Sequence, residues 1–322
     1  MSKLPTILTI GKATQDVFLK SSKNFVPHKH KGTLFEQLPL GKKLDLDEVI
    51  FATGGNVTNA AVTFARQGLS SKYIWALGTD VASEAILADL DKEGVETSGV
   101  VQNKKYRASY STILLASNGE RTILNYKGTK VSSNGHPLDL GIIEQVDWVY
   151  LSALGDMELL EKIITRARHH DVKVMLNPAG TELKEKAKLK ALLDDVTVLA
   201  LNKEEAEMIT QGSTLEELAR RLSTLSPVAI VSDGPNGVVA TDGNQLVRAG
   251  MYEDVTVVDR TGAGDAFGSG FLSQFSQGKT LAESILFASA NSTSVVTKIG
   301  AKEGILQKGV KLHQMPIDTK LL

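Results

Sequence analysis

Apolar residues gather along this chain in short, regularly recurring runs. Thr6–Gly11, Lys72–Leu77, Trp148–Leu151, Val172–Leu176, Val196–Leu201 and Val228–Val231 are brief, rich in β-branched or other apolar side chains, and read as buried strands. Between them lie stretches of helical character: the alanine-rich Asn56–Gln67, Val81–Glu93 closed by Gly94, Met157–His169 and Thr214–Leu225. Two further helices are predicted at Gly264–Gln277 and Leu281–Thr297. Strands that alternate with helices pair in parallel through right-handed crossovers. The expected fold class is therefore α/β, an open and mostly parallel sheet with helices on both faces.

Two segments break this rhythm. From Asp16 to about Asp47 the chain mixes Lys, His and Pro with few periodic apolar positions, which predicts edge strands or irregular chain outside the core. Ala108–Ala116 and Arg121–Lys127 flank Ser117-Asn118-Gly119, and Asn-Gly between two alternating runs signals a hairpin. Segments of approximately 12–50 and 98–128 thus predict a small strand-rich appendage on one main domain spanning 1–322. No repeat or low-complexity tract interrupts this plan.

Composition narrows the function classes. The 322 residues are 42% hydrophobic and 23% charged, enough apolar material for a large core. A net charge of −1, from 36 basic and 37 acidic residues, offers no basic excess for nucleic acid or a membrane surface. With no cysteine, disulfides, thiolate metal sites and a cysteine nucleophile are excluded. The six histidines show no HExxH spacing. No apolar stretch approaches the roughly 20 residues of a membrane span, and the start MSKLPTILTIG lacks a secretory pattern. A cytoplasmic location is expected.

The chemistry concentrates in Asp259-Arg260-Thr261-Gly262-Ala263-Gly264-Asp265-Ala266-Phe267, between the strand-like run Val255–Val258 and a helix. Small residues at a helix N-terminus leave backbone N–H groups free to face an anion, a natural seat for phosphate. Asp265 in the first turn puts a carboxylate beside that seat, where it can take a proton from an attacking hydroxyl. Gly-x-Gly alone is common in loops, and a first-turn Asp often only complements the helix dipole. The string is not a Rossmann fingerprint, lacking the third glycine, nor a Walker loop, lacking Gly-Lys-Ser/Thr.

Val258–Phe267 resembles the C-terminal signature of the ribokinase-like, or phosphofructokinase-B, carbohydrate kinases. Gly54-Gly55-Asn56-Val57-Thr58-Asn59-Ala60-Ala61, followed by Gly68 and Gly78, is similar to the N-terminal signature. Val57 departs from the small residue usual there. The resemblance implies a ribokinase-like fold whose strand-rich appendage is a lid, with ATP and Mg²⁺ as cofactors. It further implies Asp265 as catalytic base, Gly262, Ala263 and Gly264 as anion hole, and Asp16, Gly54, Gly55 and Asn59 as substrate-binding residues.

Asn202-Lys203-Glu204-Glu205 is similar to the family's Asn-x-x-Glu motif, implying Asn202 near the phosphates and Glu205 holding Mg²⁺ through water; the same residues also suit a helix N-cap. Ser232, Gly234 and Gly237 resemble the nucleotide loop, and Asn291 a position beside adenine. Asp259 and Thr261 match positions that help bind a monovalent cation, K⁺, in some members. Arg260 replaces the threonine frequent in ribokinases.

The acceptor stays open between a sugar hydroxyl, a nucleoside and a sugar phosphate. Thr14 and Asn56 depart from the residues frequent in ribokinases. Phe18, Phe25, Phe35 and Tyr110 are available to stack on a base, and Lys12, Arg107, Lys127 and Lys130 to hold a phosphate. A catalytically silent regulator on the same fold and a nucleotide-binding oxidoreductase are the readings from other classes. The latter needs a glycine-rich turn after the first strand, where Gly11-Lys12-Ala13-Thr14-Gln15 has one glycine. In the family lid strands often pair between subunits, so a homodimer through the lid is expected.

Overall fold

In the strands Thr6–Ile10 and Trp148–Ser152 every residue is buried. Successive side chains point to opposite faces, so a strand buried throughout is covered on both sides. A computed structural model, describing residues 4–116, 120–131, 137–250, 252 and 255–322, places these two at the heart of a nine-stranded sheet. Its spatial order is Ser70–Ile74, Thr6–Ile10, Trp148–Ser152, Lys173–Asn177, Val198–Asn202, Val228–Ser232, Val238–Thr241, Gln245–Ala249 and Ile317–Leu321. The first six run parallel and the last three antiparallel. The α/β class read from the sequence is the observed one.

Strand order turns back at Thr6–Ile10, which lies between a later strand on each side. In open α/β sheets ligands bind at such a switch point, beyond the C-terminal strand ends. A polar chain runs along those ends. Asn56 Nδ2 donates to Ser152 Oγ at 3.0 Å, Ser152 Oγ to Asn177 Oδ1 at 3.0 Å, and Asn177 Nδ2 to the Ala200 carbonyl at 2.8 Å.

A second sheet rises from this edge, in the order Arg121–Tyr126, Ser109–Leu115, Thr14–Lys20, Glu48–Gly54. Its outer strand, Arg121–Tyr126, pairs antiparallel with Ser109–Leu115 as the hairpin reading predicts, while the Asn-Gly turn lies outside the described residues. The expectation of edge strands for 16–47 suits the exposed pair His28–His30 and Thr33–Phe35. It misses Thr14–Lys20, which has a neighbour on each side. The returning strand Glu48–Gly54 runs past the expected boundary at 50, through Gly54, directly into the helix Asn56–Arg66.

Val255–Val258 forms no strand, a correction to the sequence reading. Among the described residues no helix is long and apolar enough to cross a membrane.

The helix Asn56–Arg66 packs on the helix Ala263–Phe275, which in turn packs on Leu281–Val295. Small residues allow the close approach: a Cβ on Gly270 would lie 3.1 Å from Ala288 Cα. Ser269 Oγ donates to Thr63 Oγ1 at 2.8 Å across the first pair. This packing sets Asn59 against Asp265.

Candidate active site

Gly262 caps the Ala263–Phe275 helix in the left-handed conformation, with φ of 77°. A Cβ there would stand 2.4 Å from Ala301 Cβ and 2.9 Å from Ala301 Cα, so both torsion and space require glycine. At Gly264 a Cβ would meet nothing within 4 Å, leaving open space over the first helical turn. Anions are favoured at this helix end by its unsatisfied N–H groups and dipole.

Asp265 follows in the same turn, and its Oδ2 accepts a 2.9 Å hydrogen bond from Asn59 Nδ2. Burial is the main influence on this carboxyl and pushes its pKa up to about 6, against the lowering effect of Asn59. Two buried atoms beside it have no partner, Asn59 Oδ1 and the Tyr150 hydroxyl. Tyr150 is itself shifted upward by burial and then by the Asp265 charge. Unpaired buried polar atoms are costly, and these two leave hydrogen-bonding capacity open next to Asp265.

A second group of candidate residues lies where the small sheet meets the large one. Asp16 is nearly buried; burial raises its carboxyl pKa, while a hydrogen bond from Ser111 and the charge of Lys302 lower it. Ser111 and Ala52 are its cross-strand partners, and Asn125 lies beyond Ser111. A Cβ on Gly54 would stand 2.3 Å from Asp16 Oδ2. Gly55 has φ of 105°, and a Cβ would lie 2.6 Å from the Lys12 carbonyl oxygen. The glycine pair is thus the tight hinge at which the strand Glu48–Gly54 becomes a helix.

A cleft of about 300 Å³ joins Gly264 to the turn after the strand Val228–Ser232. Ser232, Gly234 and Gly237 line it, together with Phe267, Val296 and Ser292. Gly237 has φ of 93°, and a Cβ would stand 2.3 Å from the Ala249 carbonyl oxygen. Apolar walls with a few hydroxyls suit a flat base and its ribose.

Asn202, opposite Ser232 in the sheet, caps the helix Lys203–Ile209 reciprocally with Glu205. Glu205 Oε2 accepts from Asn202 N and Asn202 Oδ1 from Glu205 N, both at 2.9 Å. Burial raises the Glu205 pKa.

Asn291 is not among the residues that line the cleft. It is fully buried, its Nδ2 donating to the Ala266 carbonyl and its Oδ1 accepting from Leu306 N. Ser292, the next residue, faces the cleft. Asp259 accepts from Thr261 N and Oγ1 and from Gly300 N, tying the loop before Gly262 to the segment that carries Ala301.

The sequence reading passed over Tyr150, Ser111, Arg121 and Lys302. Arg121 approaches Asp259 at 3.7 Å. Lys302, almost wholly buried, bonds Thr53 Oγ1 and Asp89 Oδ2. Only Tyr150 left a signal, a phenol inside an otherwise apolar buried run.

A base must be ionised to take a proton. Activity limited by Asp265 should therefore be level above about pH 6 and fall tenfold per pH unit below it. A profile of kcat/KM against pH, which follows the groups of the free protein, checks this; a profile flat down to pH 4 would contradict it.

A helix N-terminus, a glycine cradle and a buried carboxylate brought together in one place suit phosphate transfer. A nicotinamide fold would need a glycine-rich turn where Gly11 stands alone. The class is an α/β phosphotransferase. The chain belongs to the pfkB family of carbohydrate kinases, whose pattern matches residues 10–308, and it is an ATP-dependent carbohydrate kinase.

It is 27% identical over 305 residues to a ribokinase of Bacillus subtilis (strain 168), covering 93% of this chain and 95% of that one. The solved Arabidopsis thaliana ribokinase complexed with ribose and ATP shares the fold, with TM-score 0.75, 21% identity and 94% and 96% of the two chains covered. A nucleoside kinase of Methanocaldococcus jannaschii does so too, with TM-score 0.73, 18% identity and coverage of 94% and 96%.

Proposed function

We propose that this protein transfers the γ-phosphoryl group of ATP to a primary hydroxyl of a sugar. The observation that carries the reading is Asp265, set in the first turn behind the Gly262 cap and hydrogen-bonded to Asn59, whose amide oxygen has no other partner. Asn59 Oδ1 accepts a substrate hydroxyl, Asp16 accepts further ones, and Asp265 takes the proton of the attacking oxygen. The amides of Gly262, Ala263 and Gly264 offset charge growing on the transferring group.

The nucleotide lies against Ser232, Gly234 and Gly237, with Asn202 towards the phosphates. Glu205 would hold Mg²⁺, and the ion would supply neutralisation of the phosphate charge. The small sheet acts as a lid that excludes water.

A sugar is favoured over a nucleoside by the face around Asp16. Its neighbours Ser111, Ala52 and Asn125 are small or polar, matched to hydroxyls. Phe18 and Phe25 are buried, Phe35 sits on the exposed outer hairpin, and Tyr110 points to the opposite face of the small sheet. In competition assays, free sugars should be phosphorylated at least about tenfold more efficiently than nucleosides, since a site built for hydroxyl pairing discriminates strongly. A nucleoside that outcompetes every sugar would overturn this choice.

A further inference from the structure

We propose that Arg121 is a positioning residue of the transfer site. It brings a lid-borne positive charge to the carboxylate that holds the anion-hole loop, and so couples that loop to lid closure. The proposal rests on the kinase reading above.

Arg121 opens the outermost strand of the small sheet, a strand exposed along its whole length and paired on one side. Its Nη1 stands 3.7 Å from Asp259 Oδ1, and the Asp259 side chain is only 3% exposed. The same Oδ1 accepts from Thr261 N at 3.0 Å and Thr261 Oγ1 at 2.7 Å, while Oδ2 accepts from Gly300 N at 3.1 Å. Thr261 directly precedes Gly262, and Gly300 directly precedes Ala301, the residue packed against Gly262. One carboxylate therefore ties together both sides of the anion-hole entrance.

A carboxylate this buried is stable only with donors and a counter-charge. Among the described ion pairs, Arg121 is the one cation on Asp259. Lys302 is committed to Asp89 at 2.8 Å, and Arg260 lines the nucleotide cleft. Asp16 also feels the Asp259 charge, so the acceptor carboxylate and the loop carboxylate repel each other. Bringing Arg121 in offsets that repulsion when the lid closes over a substrate. If the lid strand withdraws, Asp259 loses its cation and the loop its tension. The anion hole would then be complete only over a bound acceptor, which limits transfer of the phosphoryl group to water.

A guanidinium supplied by the chain makes a soluble cation unnecessary. The test measures kcat and the KM for ATP in choline, potassium and guanidinium salts at constant ionic strength, for wild type, Arg121→Gln and Arg121→Lys. Wild type should vary less than about twofold among the salts, where ionic strength alone is held fixed. Arg121→Gln in choline should lose about 10- to 100-fold in kcat with little change in the KM for ATP, as expected when transfer geometry rather than binding is disturbed. Potassium or guanidinium should restore several-fold of that loss, and Arg121→Lys should fall between.

Arg121 is partly exposed, so the variants should fold, and unchanged melting temperatures confirm it. A wild type that requires potassium, full kcat of Arg121→Gln in choline, or a loss that no cation relieves would overturn the proposal. A wild type that makes no ADP with any acceptor is a different result, and sinks the kinase reading instead.

Discussion

Asp265→Asn should lower kcat by about 10²–10⁴-fold, the usual contribution of a positioned base, while the protein folds normally. The amide has nearly the same shape, and its carbonyl oxygen can still accept the Asn59 Nδ2–H that now reaches Asp265 Oδ2 at 2.9 Å. What disappears is the capacity to take a proton.

The stability side has the opposite sign. Burial raises the folded-state pKa of Asp265 to about 6 from 3.8, so the folded protein binds more protons than the unfolded chain between those values. Wild-type stability therefore falls as pH rises through that window, and the ionised carboxylate is a burden at neutral pH. Asp265→Asn removes the burden, so its melting temperature at pH 7 should equal or exceed that of wild type. Near-normal turnover in this variant would take Asp265 out of the role of base.

Gly262→Ala is expected to harm fold and activity together. The left-handed torsion of 77° costs a residue with a Cβ about 1–2 kcal/mol. The added atom would also stand 2.4 Å from Ala301 Cβ, so the loop carrying Gly300 and Ala301 must move. Displacing catalytic donors by about 1 Å can cost on the order of a hundredfold in rate. Gly264→Ala is the contrast, because a Cβ there meets nothing within 4 Å. It should keep or raise the melting temperature and weaken ATP binding by filling the cleft. Denaturation midpoints with KM and kcat for the two variants separate the cases; equal behaviour would contradict the assigned anion-hole geometry.

The parts legible in the sequence are those where chemistry or torsion restricts the residue type. The glycines of the strings around Gly54-Gly55 and Gly262-Ala263-Gly264-Asp265 stand out because Gly55 and Gly262 adopt positive φ and Gly54, Gly55 and Gly262 leave no room for a Cβ. The parallel core could be read because strands buried on both faces are continuous apolar runs, as in Thr6–Ile10 and Trp148–Ser152.

Other features depend on contacts that leave no local mark. Thr14–Lys20 looks polar and irregular, yet its place between Ser109–Leu115 and Glu48–Gly54 makes it an inner strand. Val238–Thr241, Gln245–Ala249 and Ile317–Leu321 extend the sheet antiparallel through pairings that the alternating rhythm does not announce. The burial of Asn291 leaves no mark near it in the chain, since its partners Ala266 and Leu306 lie 25 and 15 residues away. Arg121 meets Asp259 only when the small sheet folds over the large one.

The central claim is sugar phosphorylation with Asp265 as base, and ADP release tests it most directly. Wild type and Asp265→Asn would be supplied with ATP and Mg²⁺ across free sugars, sugar phosphates and nucleosides. The account predicts one strong response among the free sugars, abolished in Asp265→Asn. ADP release that persists at the wild-type rate in the variant, or that no sugar stimulates, would contradict it.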